Sequence, residues 1–199
     1  MVRVALTGGI ATGKSTVLRL LQARHVPTID ADVLARAVVA PGSAGLEAVV
    51  ERFGAGVLDL HGALDRGALA AMVFSDPHAR RDLERIVHPA VYAAIEGWFE
   101  TLPQETPLAV ADIPLLFETG HQVDFDRVVV VACPPDEQLR RVMARDRVSE
   151  AEARTRLDAQ WPIADKVVLA HHVIWTTGSR AETEREVDKL VSQLAAQSG

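Results

Sequence analysis

The chain is 199 residues long, 48% hydrophobic and 24% charged, the make-up of a globular protein long enough to bury a real core. Its net charge of −6 excludes a general nucleic-acid binder, which would carry a basic face, and its apolar runs, Val128 to Cys133 among them, are too short to cross a bilayer. A single cysteine, Cys133, excludes an internal disulfide; with no secretory leader, this sets the expectation of a cytoplasmic enzyme with no membrane and no obligate protein partner.

In chain order, Val2–Thr7 alternates like a strand, and Lys14–Arg24 has the pattern of a helix. Between them Gly8 to Ser15 read Gly-Gly-Ile-Ala-Thr-Gly-Lys-Ser, a complete G-x-x-x-x-G-K-S/T phosphate loop. Glycines let backbone N–H groups turn inward around a polyphosphate, and the helix N-terminus adds partial positive charge. The expected nucleotide-binding residues are Gly8, Ala11, Thr12, Gly13, Lys14, Ser15 and Thr16, with Lys14 reaching the β/γ-phosphates and Ser15 offering its hydroxyl to Mg²⁺. The cations are 18 Arg and 3 Lys, so arginine is the default here and Lys14, Lys166 and Lys189 are the more telling positions.

A second strand, Thr28–Asp30, runs into Asp30-Ala31-Asp32, whose alternation sends both carboxylates to one side at the edge where ligands bind in open α/β sheets. One of them orients an acceptor hydroxyl while the other serves structure or metal; the alternative is an N-cap beside a solvated acid. From 32 to 102 only helices are predicted: Arg66–Phe74 capped by Asp65, Pro77–Val87, and Ala90–Leu102 after His88-Pro89. Arg81, Arg85 and His88 share a helical face, either a grip for an anionic acceptor or a solvated surface with His88 at a helix boundary.

The strand Leu108–Asp112 ends in an acid that reads as a metal neighbour or a turn cap. Pro114-Leu115-Leu116-Phe117-Glu118 is apolar where a loop should be polar, and either walls an acceptor pocket or packs into the core. Arg127–Cys133 is the next strand and Pro135–Asp146 a helix. A second helical insertion, 139–166, has a capping box at Ser149 and Glu152 and carries Arg140, Arg141, Arg145, Arg147, Arg154 and Arg156. Such a pair can swing over bound phosphates as a lid, with Arg145 the expected catalytic arginine. A strand His172–Thr176 and a helix Arg180–Ala196, boxed by Ser179 and Glu182, close the chain. The whole predicts an α/β, three-layer, doubly wound fold on a parallel sheet: core 1–31, 103–138 and 167–199, substrate lobe 32–102, lid 139–166.

Taken in order, Thr7-Gly8-Gly9-Ile10 with Gly13-Lys14-Ser15-Thr16, Asp30-Ala31-Asp32, Asp65-Arg66, Val73-Phe74, His88-Pro89, Asp112-Ile113-Pro114-Leu115-Leu116-Phe117-Glu118, Arg145-Asp146, Arg156, Gln160, Lys166, Ala170 and Gly178 resemble the dephospho-CoA kinase family over nearly the whole chain. The resemblance implies transfer of the γ-phosphoryl of ATP to the ribose 3′-hydroxyl of dephospho-CoA, with Mg²⁺, giving CoA and ADP. It implies catalytic roles for Lys14, Asp32 and Arg145, substrate contacts from Asp32, Arg81, His88, Leu115, Phe117 and Glu118, and Mg²⁺ near Ser15 and Asp112. Ala11 and Thr12 depart from the family's usual glycine and serine; alanine suits position 11 if no positive φ is needed there. Ile174-Trp175-Thr176-Thr177-Gly178 also departs from the family's Asp-then-Asn pattern near the ATP base. The competing readings are another small-molecule kinase on the same fold, which would differ in the acceptor lobe, and a GTP switch, for which the guanine-specific Asn-Lys-x-Asp stretch is missing.

Overall fold

The computed structural model describes residues 1–197, so positions 198 and 199 of the expected core segment lie outside the described residues. The chain forms two compact units, residues 1–29 with 102 onward, and residues 30–101. Five strands, β1 (Val2–Gly8), β2 (Thr28–Asp30), β3 (Leu108–Asp112), β4 (Arg127–Ala132) and β5 (His172–Trp175), make one parallel sheet in the order β2-β3-β1-β4-β5. The helices are α1 (Lys14–Gln22), α2 (Ala31–Ala37), α3 (Ala44–Phe53), α4 (Arg66–Ser75), α5 (Pro77–Thr101), α6 (Pro135–Asp146), α7 (Glu150–Asp158), α8 (Ile163–Val168) and α9 (Arg180–Ala195).

In the first unit, alternate strand residues Val4, Leu6, Val110, Val129, Val131 and Ile174 meet Val17, Leu20 and Leu21 of α1 and Val187, Leu190 and Leu194 of α9. Each fully buried side chain of this kind is worth about 1.5–3 kcal/mol, which fixes the register of the sheet against its helices. Arg24 pairs with Asp188 at 2.6 Å and ties α1 to α9. β1 lies between β3 and β4, with Leu6 opposite both Asp112 and Val129. The chain fills one side of β1 first and then crosses to the other, so the ligand crevice falls at the carboxyl ends of these three strands.

The second unit is helical, with an antiparallel bridge between Leu58 and Leu64, and it buries its own core of Val39, Val49, Phe53, Val57, Leu69 and Ala79. Here the structure corrects the sequence reading. The chain does not break at His88-Pro89: α5 runs unbroken from Pro77 to Thr101 with Pro89 inside it, and His88 is mid-helix. An interior proline costs about 3 kcal/mol. Leu83, Ile86 and Val87 pack on one core before it and Val91, Ile95 and Phe99 are buried after it, and together these outweigh that cost. The sequence reading also named no individual helix where α2 and α3 stand.

Candidate active site

The phosphate loop leaves β1 at Gly8 and enters α1 at Lys14. Its glycines are fixed by close packing. A Cβ on Gly8 would lie 2.6 Å from the Val131 carbonyl oxygen, and one on Gly9 would lie 2.4 Å from Gln138 Nε2. Gly13 adopts φ 92° and, lacking a side chain, leaves the first N–H groups of α1 uncapped by it, ready for an anion. Thr12 is buried, and its Oγ1 donates to the Gly9 carbonyl at 2.8 Å. Ala11 sits at φ 59°, so the condition on which alanine would suit this position, no positive φ, is not met.

Lys14 Nζ reaches Asp112 Oδ1 at 2.5 Å, joining the loop to the end of β3. Asp112 is 4% exposed, so this carboxylate is available inside the crevice and not at the surface. Ser15 follows Lys14 in the first turn of α1 and is exposed, and Thr16 comes after it. Among the described residues no cluster of three or more His, Cys, Asp or Glu side chains is arranged to hold a metal. One buried carboxylate and one hydroxyl beside a phosphate site suit Mg²⁺ carried in on phosphate oxygens, an ion that keeps several waters and uses few protein ligands.

The segment after β3 is anchored to β1 by Ile113 N–H to the Leu6 carbonyl (2.9 Å) and Thr7 Oγ1 to the Pro114 carbonyl (3.2 Å). Leu115 is 42% exposed, whereas Phe117 is buried at 3% and stacks on Trp161 with centroids 6.4 Å apart. Phe117 therefore supports the segment from within, and Leu115 is its solvent-facing apolar side chain. Glu118 Oε1 accepts from Trp161 N–H at 3.0 Å and lies 2.6 Å from the fully buried Lys166 Nζ. That pair is close without hydrogen-bond alignment, leaving Glu118 Oε2 and Lys166 Nζ buried without a hydrogen-bond partner.

Three side chains touch the loop itself: Gln138, which sequence reasoning did not name, Gln160, which it named only as a mark of the resemblance, and Thr176, which it placed near the ATP base without a loop contact. Gln138 Nε2 donates to the Ile10 carbonyl at 2.8 Å, and Gln160 Oε1 accepts from Ile10 N–H at 2.8 Å. Thr176, in the stretch that departs from the family pattern, is buried and donates from Oγ1 to the Thr12 carbonyl at 2.6 Å. Arg141 holds Thr176 through its carbonyl (2.6 Å) and hydroxyl (3.0 Å), and Glu137 orients Arg141 at 2.7 Å. Hydrogen bonds from Arg140 and then Arg141 pull the Glu137 carboxyl down to about 2. A cavity of 370 Å³ lies beside Gln138 and Gln160, walled by Leu139, Leu157, Trp161 and Ile163.

Arg145 is 56% exposed and forks onto the neighbouring Asp146, which also pairs with Arg156. The Arg145 hydrogen bond is the main cause that holds the Asp146 carboxyl below its ordinary range. Burial raises the Cys133 thiol at the end of β4. Asp32, Arg81 and His88 belong to the unit of residues 30–101. There Asp30 caps α2, accepting from the N–H groups of Asp32 and Val33, while Asp32 is exposed in the first turn. Arg81 is exposed and meets His78 Nδ1 at 2.8 Å, and His88 is half-buried on α5.

A family model described as dephospho-CoA kinase matches residues 2–182. A dephospho-CoA kinase of Anaeromyxobacter dehalogenans is 48% identical over 96% of this chain and 91% of its own, and one of Geobacillus kaustophilus is 45% identical over 97% and 96%. The solved dephospho-CoA kinase of Campylobacter jejuni covers 98% of both chains at 30% identity with a TM-score of 0.76.

Proposed function

The chain belongs to the dephospho-CoA kinase family, and on that premise we propose how its residues move the γ-phosphoryl of ATP to the 3′-hydroxyl of dephospho-CoA, giving CoA and ADP. The observation that carries the reading is Lys14 meeting the buried Asp112 where the phosphate loop and β3 converge. The loop N–H groups and Lys14 bind the β- and γ-phosphates of ATP, exchanging the Asp112 contact for phosphate oxygens. Asp112 and Ser15 would hold Mg²⁺, which would supply charge neutralisation at those oxygens. The 3′-oxygen attacks the γ-phosphorus, the bridging P–O bond to the β-phosphate breaks, and the hydroxyl proton passes to Asp32 or through it to solvent. In a loose transition state, orienting the hydroxyl counts for more than early proton removal.

Acceptor contacts are assigned to Arg81 and His88 in the helical unit and, in the sheet unit, to Leu115 and Glu118, whose segment Phe117 holds in place. Residues 139–166 act as the lid, and Arg145, kept outward by Asp146, turns to the transferring phosphoryl as the lid closes and excludes water. Among the described residues no helix is long and apolar enough to cross a membrane. A cytoplasmic reaction is part of the proposal, supported by the lone buried cysteine. The experiment is ADP release from ATP and Mg²⁺ with dephospho-CoA, alongside a nucleoside monophosphate and shikimate as acceptors. Turnover is expected with dephospho-CoA and lost in Lys14→Ala; equal or faster turnover with either other acceptor overturns the assignment.

A further inference from the structure

We infer that Gln138 and Gln160 are positioning residues that hold the phosphate loop in its nucleotide-binding shape through the backbone of a single residue, Ile10. They flank residues 139–159 of the lid segment, Gln138 from the first turns of α6 and Gln160 from the connection between α7 and α8. Both converge on Ile10, one as donor to its carbonyl and the other as acceptor from its N–H, each at 2.8 Å. The loop's own bonds lie elsewhere, with the Thr12 N–H and hydroxyl both directed to the Gly9 carbonyl. Without the glutamines, Ile10 would have to find other partners for both its polar groups.

Two further observations agree. Gly9 is the residue that lets Gln138 approach, since a Cβ there would collide with its Nε2; this glycine thus makes room for an amide from α6. Gln160 is also followed by Trp161, whose N–H is held by Glu118, so the connection is pinned to the segment after β3 as well as to the loop. The lid is therefore footed at both ends, and the length free to swing is 139–159.

The polarity of the two contacts gives a test that a purely structural role does not pass. Gln160→Glu keeps an acceptor facing the Ile10 N–H. Gln138→Glu sets a carboxylate against the Ile10 carbonyl. Each adds the same charge beside the same residue, so the difference between them reports the hydrogen-bond polarity.

The experiment measures ADP affinity by calorimetry, and kcat and KM for ATP with dephospho-CoA, for both Glu variants and for Gln138→Ala and Gln160→Ala, with melting temperatures alongside. A hydrogen bond of this kind is worth roughly 1 kcal/mol, about fivefold. Each Ala variant is expected to weaken ADP binding about fivefold and raise KM for ATP more than it lowers kcat. Gln138→Glu is expected to bind ADP at least about fivefold more weakly than Gln160→Glu, as one lost bond of this size requires. Equal affinities in the two Glu variants, or ADP binding within twofold of wild type in both Ala variants, overturn the inference. It rests on nucleotide binding at the phosphate loop, which the unaltered chain tests by itself: no ADP affinity there defeats the nucleotide reading, whereas normal affinity with indifferent variants defeats only the positioning role.

Discussion

Ala11 occupies the left-handed region at φ 59°, where a Cβ crowds its own backbone. That conformation costs an L-residue roughly 1–2 kcal/mol, more than the ~0.4–1 kcal/mol that glycine loses through its freer unfolded chain. Ala11→Gly is therefore expected to raise the melting temperature by a degree or more with turnover preserved, and a lower melting temperature would show that the turn suits alanine. Asp30 and Asp32 divide the work of their strand end. Asp30 spends its carboxylate on capping α2, whereas Asp32 is exposed and not used as that cap. Asp32→Asn should slow turnover by about 10²–10⁴, the usual loss for a positioned acid–base group, with ATP affinity nearly unchanged. Near-normal turnover in Asp32→Asn, together with its loss in Asp30→Asn, would transfer the role to Asp30.

At the scale of elements, the proposed lid segment and the first turn of α6 make separate predictions. If 139–159 closes on phosphates, its amides should exchange more slowly when ATP analogue and dephospho-CoA are both bound; unchanged exchange would mark a static helical pair. Glu137 sits lower, at about 2, than its ordinary 4.5, so its pairing with Arg140 and Arg141 favours the folded state above pH 4.5 and fades as pH falls toward 2. Compared by thermal melting, wild type should exceed Glu137→Gln by a margin that is flat at neutral pH, shrinks below pH 4.5, and is reduced by salt because Arg140 and part of the carboxyl face solvent. A margin that grew on acidification would contradict the pairing. The strands were legible because a buried parallel sheet writes itself as short apolar runs, and the loop because its motif is local. What could not be read joins distant residues or overrides a local rule. The contacts of Gln138, Gln160 and Thr176 with the loop follow no periodicity, the φ of Ala11 belongs to the turn, and α5 passes through Pro89 because burial on both sides outweighs the missing hydrogen bond.

At the scale of the molecule, the two units carry separate hydrophobic cores, the larger one between the sheet, α1 and α9. Native-state hydrogen exchange should accordingly resolve two cooperative openings, with residues 30–101 opening at lower free energy than β1, β3 and β4. A single opening energy across the chain would mean that the cores unfold as one. The sequence distances inside the site have a consequence for how the protein is made. Ile10 and Gln160 are 150 residues apart, Thr12 and Thr176 are 164 apart, and β1, the middle strand, must wait for β3 to be its first direct neighbour. At about 5–20 residues per second, a ribosome leaves that apolar strand without a flanking partner for roughly 5–20 s. The nascent chain thus carries an apolar strand without its neighbours through that interval, and ATP cannot help it fold until residues 160 and 176 have been made and the loop they touch is held.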